Sequence, residues 1–414
     1  MALIPSTNVF ARTRAACILC AALLAGVLCN GSVQAQSDVA APRAQEAESA
    51  QEAPVSQQVP ESEQAPAQSD FAAGVQAYKD ARFAVAHQIF GALAAEGDPR
   101  AQFALGLLFD NGQGVSQDDR LARSWYARSA EQGFAKAQFN LALMLDAGRG
   151  GAADPAAARD WFLRAAEAGN DDARTRIMRL VEAGDAVAAR ELGRMYFHGR
   201  GVETNRALAR KLFARAAEAG DRDAMFYLAW QIESAQKPGK PLPTEALRWY
   251  TEAARAGHAG AMYNLAVHYR VGISVSPAPD RAKALYTRAA ELGHARAAFS
   301  MALFYDMGGP WDSDPEAARR WYAQAAELGV AAAHVNLAAL ESERAQTAAD
   351  WQSVRAHLEA AEAAGHPLAA KNLASLTAFL AAQTEPPQKL EQAEQGESPQ
   401  ELEPLGQAES PQKP

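Results

Sequence analysis

Residues 118–150, DDRLARSWYARSAEQGFAKAQFNLALMLDAGRG, carry a phrase of Ala, Gly and Trp-Tyr that returns along most of the chain. Glycines closing the Ala-Ala-Glu-x-Gly phrase and its variants stand at Gly97, Gly133, Gly169, Gly184, Gly220, Gly257, Gly293, Gly329 and Gly365, in steps of 36, 36, 15, 36, 37, 36, 36 and 36 residues. A fixed period of this length marks stacked supersecondary units rather than one closed core. Four residues after each glycine stands Ala101, Ala137, Ala173, Ala188, Ala224, Ala261, Ala297, Ala333 or Ala369. Eight after it stands Leu105, Leu141, Ile177, Leu192, Leu228, Leu265, Met301, Leu337 or Leu373.

Within one unit, Ala101, Leu105 and Leu108 have helical spacing, which predicts an amphipathic helix A. Gly112 and Gly114 break it, as Gly148 and Gly150 or Gly199 and Gly201 do in other copies. Glycine there supplies the positive φ of a tight turn. Helix B follows with Ala122, Trp125, Tyr126 and Ala130, and stops at Gly133. Trp125, Trp161, Trp249 and Trp321 recur in it beside Tyr126, Phe162, Tyr250 and Tyr322. Such a row reads as the large half of a core packed on neighbouring alanines rather than as a ligand-stacking surface.

The phrases A-x-A-x-x-x-L-[GA], G-x-G-V and A-x-x-W-[YF]-x-x-A-A-E-x-G resemble the Sel1-like repeat family, relatives of the tetratricopeptide repeats, over about residues 71–382. The resemblance implies an all-α fold: a right-handed α-solenoid, a superhelix of antiparallel helix pairs whose A helices line a concave face. It also implies an adaptor's role, since family members serve as scaffolds in membrane-associated complexes, periplasmic regulators of sensor kinases and parts of exopolysaccharide systems. A cysteine-rich subgroup handles β-lactams; this chain departs from it. Gly74, Ala77, Tyr78, Arg82, Phe83, Ala86 and Phe90 resemble an ordinary tetratricopeptide unit and predict the N-terminal cap. Residues 366–382 predict the last helix.

Both ends read differently. Arg12 and Arg14, an apolar run from Ala15 to Leu28, and Val33-Gln34-Ala35 predict a signal peptide cleaved after Ala35. The run is shorter than the roughly 18 apolar residues of a spanning helix, so no membrane segment is expected in the mature chain. The three cysteines, Cys17, Cys20 and Cys29, all lie in this leader, which leaves the mature chain without disulfide or thiolate chemistry. Residues 36–70 and 383–414 are acidic and rich in Pro and Gln, and predict disordered tails. Between them acidic and basic residues are equal in number. A neutral body argues against nucleic acid, whose phosphates require a basic face.

Three departures from the pattern are candidates for function. The 15-residue step from Gly169 to Gly184 keeps a helix A and omits a helix B, so residues 170–184 are either a hinge between two arms or a deletion absorbed by repacking. Residues 235–244, AQKPGKPLPT, replace the G-x-G turn. In 307–315, MGGPWDSDP, Trp311 is either a binding anchor or packs back on its own repeat. The best candidate surface is the position seven after the glycine: Asn140, Glu191, Tyr227, Asn264, Ser300, Asn336 and Asn372. Asparagine both donates to and accepts from a bound backbone, though it serves equally to bond the neighbouring repeat.

No phosphate loop, nucleophile elbow or zinc helix motif is present, and no cofactor or metal is expected. His258, His294 and His366 share one column, but side chains a full repeat apart, on helices packed about 8–10 Å from one another, cannot share an ion bound at about 2 Å. The same column holds Asp98, Asn170, Asp185 and Asp221, a helix-capping set. The reading is a periplasmic or secreted, non-enzymatic scaffold or regulatory adaptor that binds an envelope protein or sensor domain through the concave face. A scaffold of an exopolysaccharide export or modification complex is the alternative. A cell-wall enzyme would need perturbed carboxylates or histidines converging in one pocket, which the columns do not supply.

Overall fold

The structure, a computed structural model, describes residues 70–237, 240–272, 274–309 and 311–384. The expected signal peptide, all of the N-terminal linker but Asp70, and all but the first two residues of the C-terminal tail lie outside the described residues. Those described form helices joined by short turns, and no strand occurs among them. None of these helices is long and apolar enough to cross a membrane. The contacts divide the chain after Ala297 into two compact units.

The first unit opens with a hairpin of α1 (Phe71–Lys79) and α2 (Phe83–Ala95), where the cap was expected. A-type and B-type helices then alternate: α3 (Pro99–Asn111) and α4 (Asp119–Glu131), then α5 (Ala135–Ala147) and α6 (Pro155–Glu167). A lone α7 (Asp171–Glu182) follows. Pairing resumes with α8 (Ala186–His198) and α9 (Arg206–Glu218), α10 (Arg222–Ser234) and α11 (Thr244–Arg255), and α12 (Ala259–Val271) and α13 (Pro279–Glu291). The second unit contains most of α14 (Ala295–Met307), then α15 (Pro315–Glu327), α16 (Ala331–Ser342), α17 (Ala348–Ala363) and α18 (Ala369–Thr384). The last helix starts three residues later than expected, because His366 Nδ1 accepts from Leu368 N at 3.3 Å and holds a turn before it. It continues to Thr384.

Many of the helices begin at a side chain that caps the backbone, and several end at a glycine. Asp98, Asn170, Asp185, Asp221 and His258 accept from backbone N–H groups in the first turns of α3, α7, α8, α10 and α12. Gly148 and Gly199 close α5 and α8 in the left-handed conformation, at φ 68° and 72°. The alanine column is buried throughout, and Tyr126, Tyr250, Tyr286 and Tyr322 are the largest fully buried side chains. Their rings approach so closely that a Cβ at Gly106 would lie 2.6 Å from the ring of Tyr126. The neighbouring tryptophans are not all core. Trp125, Trp161 and Trp321 are half-buried, and only Trp249 is buried. Arginine covers three of them: Arg128 on Trp125, Arg164 on Trp161 and Arg248 on Trp249, 4.3–4.6 Å from the ring centroids. The tyrosine fills the interhelix space, so the larger indole lies at its edge.

The lone helix changes direction rather than leaving a gap. From α3 to α13 each turn reverses the chain, by three residues before an A helix and by a longer glycine turn after it, and a strict A–B alternation keeps every A helix pointing one way. Placing α7 between α6 and α8 adds one reversal, so α8, α10 and α12 run against α3 and α5. Turn glycines record it. A Cβ at Gly150, in the α5–α6 turn, would collide with the carbonyl oxygen of Asp119, the first residue of α4. One at Gly201, in the α8–α9 turn, would instead collide with carbonyl oxygens of Ala166 and Glu167, at the end of α6. Ala173, Ile177 and Val181 bury the inner face of α7, and α6 touches α8 as well as α7.

Candidate interaction surface

At the position seven after the glycine, Asn140, Asn264 and Asn336 each bond a tyrosine of the preceding B helix. Asn264 Nδ2 donates to Tyr250 Oη at 3.1 Å, and the Tyr250 hydroxyl donates to Glu233 Oε2 at 2.5 Å. In the second unit Asn336 donates to Tyr322 at 3.1 Å, and Tyr322 to Asp306 at 3.1 Å. Asn140 is hydrogen-bonded to Tyr126, which donates to Asp110 at 3.1 Å. Each chain therefore ties the end of one A helix, through a buried tyrosine of helix B, to the next A helix. Burial drives the Tyr250 hydroxyl well above the usual phenol range, and the Glu233 carboxylate adds to the shift. The amide donor that could hold a bound peptide is thus engaged by tyrosine at Asn140, Asn264 and Asn336. Asn372 is buried on α18 and Ser300 half-buried on α14.

Variation among these chains is informative. Where helix B carries Phe162, which has no hydroxyl to bond, the column carries Arg176, its guanidinium 6.0 Å from the ring centroid. Directly after the lone helix all three places are aromatic: Phe197, Phe213 and Tyr227. Phe213 lies 6.5 Å from Phe197 and stacks on Tyr227 at 5.2 Å and 16°. Trp230, one turn beyond Tyr227, meets Phe197 edge-on at 5.3 Å.

The same stretch concentrates charge. In the other A helices of six repeats, the place of Arg190 holds Phe103, Phe139, Phe226, Tyr263 and Phe299. Arg190 Nη1 lies 2.6 Å from Asp221 Oδ2 and 3.4 Å from Asp223 Oδ2, while Nε donates to Glu191 Oε1 at 3.0 Å. Arg194, where other copies hold Leu107, Leu143, Trp230, Val267 or Leu303, donates to Glu191 Oε2 at 3.0 Å and lies 5.9 Å from the Tyr227 ring centroid. Its Nε is buried without a hydrogen-bond partner. Burial raises the Tyr227 hydroxyl above its ordinary range. The α8–α10 face therefore joins half-buried aromatic rings to two arginines. Glu191 and Tyr227 belong to the column singled out from sequence; Arg190, Arg194, Phe197 and Trp230 were missed. The signal for the arginines was available, because each replaces an apolar residue in a strongly periodic column.

Other candidates resolve locally. Trp311 packs on Phe304 and Tyr305 of α14, with ring centroids 5.2 and 6.0 Å away, so the indole turns back to its own repeat. His258 and His294 cap their helices through Nδ1 at 3.0 and 3.2 Å and stack on Phe226 and Tyr263. Among the described residues no group of three or more His, Cys, Asp or Glu is placed to hold a metal ion.

The model of the Sel1 repeat matches residues 99–134, 135–170, 186–221, 222–258, 259–294 and 295–330. These copies make up more than half of the chain, which belongs to the Sel1 repeat family. The matches omit 171–185, the segment of the lone α7. Solved structures that resemble the chain include a Sel1 repeat protein from Oxalobacter formigenes, at 29% identity over 62% of this chain and 96% of that one, with a TM-score of 0.35. Another is a protective antigen present in uropathogenic Escherichia coli strains and displaying an SLR fold, at 23% identity, 82% and 88% coverage and a TM-score of 0.35. An immunity protein from Pseudomonas aeruginosa follows at 18% identity, 58% and 84% coverage and a TM-score of 0.30. Among curated proteins none matches. Sel1 repeats mediate protein–protein interaction.

Proposed function

We propose that this Sel1 repeat protein is a scaffold or regulatory adaptor of the cell envelope, and that the α8–α10 face receives an envelope protein or sensor domain. The observation that carries the reading is the replacement, in one place, of the Asn–Tyr–carboxylate chain by Phe197, Phe213 and Tyr227 beside Arg190 and Arg194. Aromatic and arginine side chains dominate the energetics of protein interfaces. Arg194 is half-buried on this face, and its pair with Glu191 fixes where the guanidinium lies. Tyr227 remains in the binding set, joined by Arg194 and Trp230; Asn140, Asn264 and Asn336 act as ties between repeats. Residues 1–35 direct export to the periplasm or beyond.

Co-purification from the source organism's envelope fraction tests this. Trp230→Ala and Arg194→Ala should each lose a defined protein partner that the unmodified chain and Asn140→Ala retain. Equal recovery with all of them would move the site elsewhere. Capture that follows glycan instead of protein would replace the adaptor reading.

A further inference from the structure

The second unit holds a histidine pair that the repeat pattern does not explain. His334 on α16 and His357 on α17 face each other with their Nδ1 atoms 3.3 Å apart. Their rings are tilted by 35°, and both side chains are half-buried. Glu341 Oε1 lies 3.6 Å from His357 Nε2, and Ser353 Oγ donates to Glu341 Oε2 at 2.9 Å.

We propose that His334 and His357 are the two protein ligands of a site for a borderline divalent transition metal, zinc above others. Zinc–nitrogen bonds of about 2.0–2.1 Å at a tetrahedral angle set two donor atoms about 3.3–3.4 Å apart, the separation found here. Neighbouring ligands in a square plane at similar bond lengths would be about 2.9 Å apart, so the pair suits zinc better than copper(II). Calcium and magnesium, which select oxygen ligands, are excluded by two imidazoles. Glu341 stands at the far nitrogen of His357, where a carboxylate fixes the tautomer of a metal-bound imidazole. At 3.6 Å the carboxylate is an ion-pair neighbour of Nε2, placed to accept its proton when Nδ1 binds a metal. Ser353 holds the carboxylate in turn. The remaining coordination positions fall to water or to a side chain of a bound partner. Because the ligands come from successive helices, zinc would fasten α17 to α16 and raise the stability of this end of the chain.

Calorimetric titration of the metal-free chain with zinc chloride, followed by thermal unfolding, tests the site. The expected result is one equivalent bound and an unfolding temperature that rises with zinc; magnesium should do neither. His334→Ala and His357→Ala should each abolish binding with apo helicity unchanged, and Glu341→Gln should weaken it about 10–100-fold. No binding to the unmodified chain, or undiminished binding to the double variant, would overturn the proposal and leave the pair as an imidazole–imidazole hydrogen bond. Should the variants not fold, the visible spectrum of the unmodified chain with cobalt(II) decides: intense tetrahedral bands are expected, and weak octahedral ones contradict the site.

Discussion

The α5–α6 and α8–α9 turns carry nearly the same phrase, Gly148-Arg-Gly150 and Gly199-Arg-Gly201, with the same left-handed backbone. Yet Gly150 rests on the start of a B helix two before its own, and Gly201 on the end of one three before its own. The local code fixes the turn; the number of helices between fixes what the turn meets. A single unpaired helix thus reverses every later A helix of its unit, and the first pair after the reversal is where charge and aromatic rings depart from the repeat.

The largest way to break this comparison is at α7. Ile177→Ala empties a fully buried place, which should cost about 2–5 kcal/mol by urea denaturation. It should also separate the unfolding of α1–α6 from that of later helices, because α7 lies between them. A single transition with a small loss would show that α6 against α8 holds the two runs together unaided.

The turns themselves come next. Gly201→Ala adds a methyl at φ 66° that strikes backbone oxygens, whereas Gly133→Ala, at φ 86°, meets nothing within 4 Å. The second should cost only the left-handed strain, about 1–2 kcal/mol; the first should cost clearly more. Equal losses would contradict the packing of Gly201 on α6.

Tyr250→Phe removes the hydroxyl between Asn264 and Glu233 and should cost about 1–3 kcal/mol. Phe162 shows that the place tolerates a phenyl ring once its neighbour is Arg176. Adding Asn264→Leu to Tyr250→Phe should recover part of the loss, since no amide is then left without its acceptor. A loss unchanged in the double variant would place the cost at Glu233.

The smallest expected effect at neutral pH is the tyrosine titration. Tyr286 is pushed up to about 12 by burial, the largest cause, with Tyr263 adding to it. The unfolded phenol ionises near 10. A folded pKa above the unfolded value means that the neutral phenol's contribution is fully present below pH about 10 and is lost as pH rises towards 12. Absorbance of tyrosinate should therefore appear together with loss of helicity in strong alkali. Free titration of all tyrosines near pH 10 in a folded chain would contradict their burial.

Much of this was legible in the sequence because it is local. The period, the capping Asp and Asn residues and the turn glycines each act within a few residues, and the structure has them where the columns do. The tyrosine core was legible only in part: the Trp-Tyr phrase does not say which ring is inside, and at Tyr126 that is decided by the space left beside Gly106. The reversal at α7 was not legible as such, since a missing helix B does not say which end of α6 the next turn meets. The seven-column asparagines looked available because their tyrosine partners lie 14 residues earlier in another helix. Arg190 and Arg194 are legible only as departures, since their columns are apolar in the other repeats and a lone charge there does not say what it pairs with.

Site-specific photocrosslinking tests the central claim most directly. A photoreactive residue at position 230 on α10 is compared with one at position 143, the same place on α5 before the reversal. The account predicts that an envelope protein partner is captured from position 230 and not from 143. Capture from 143 alone, or equally from both, would contradict it.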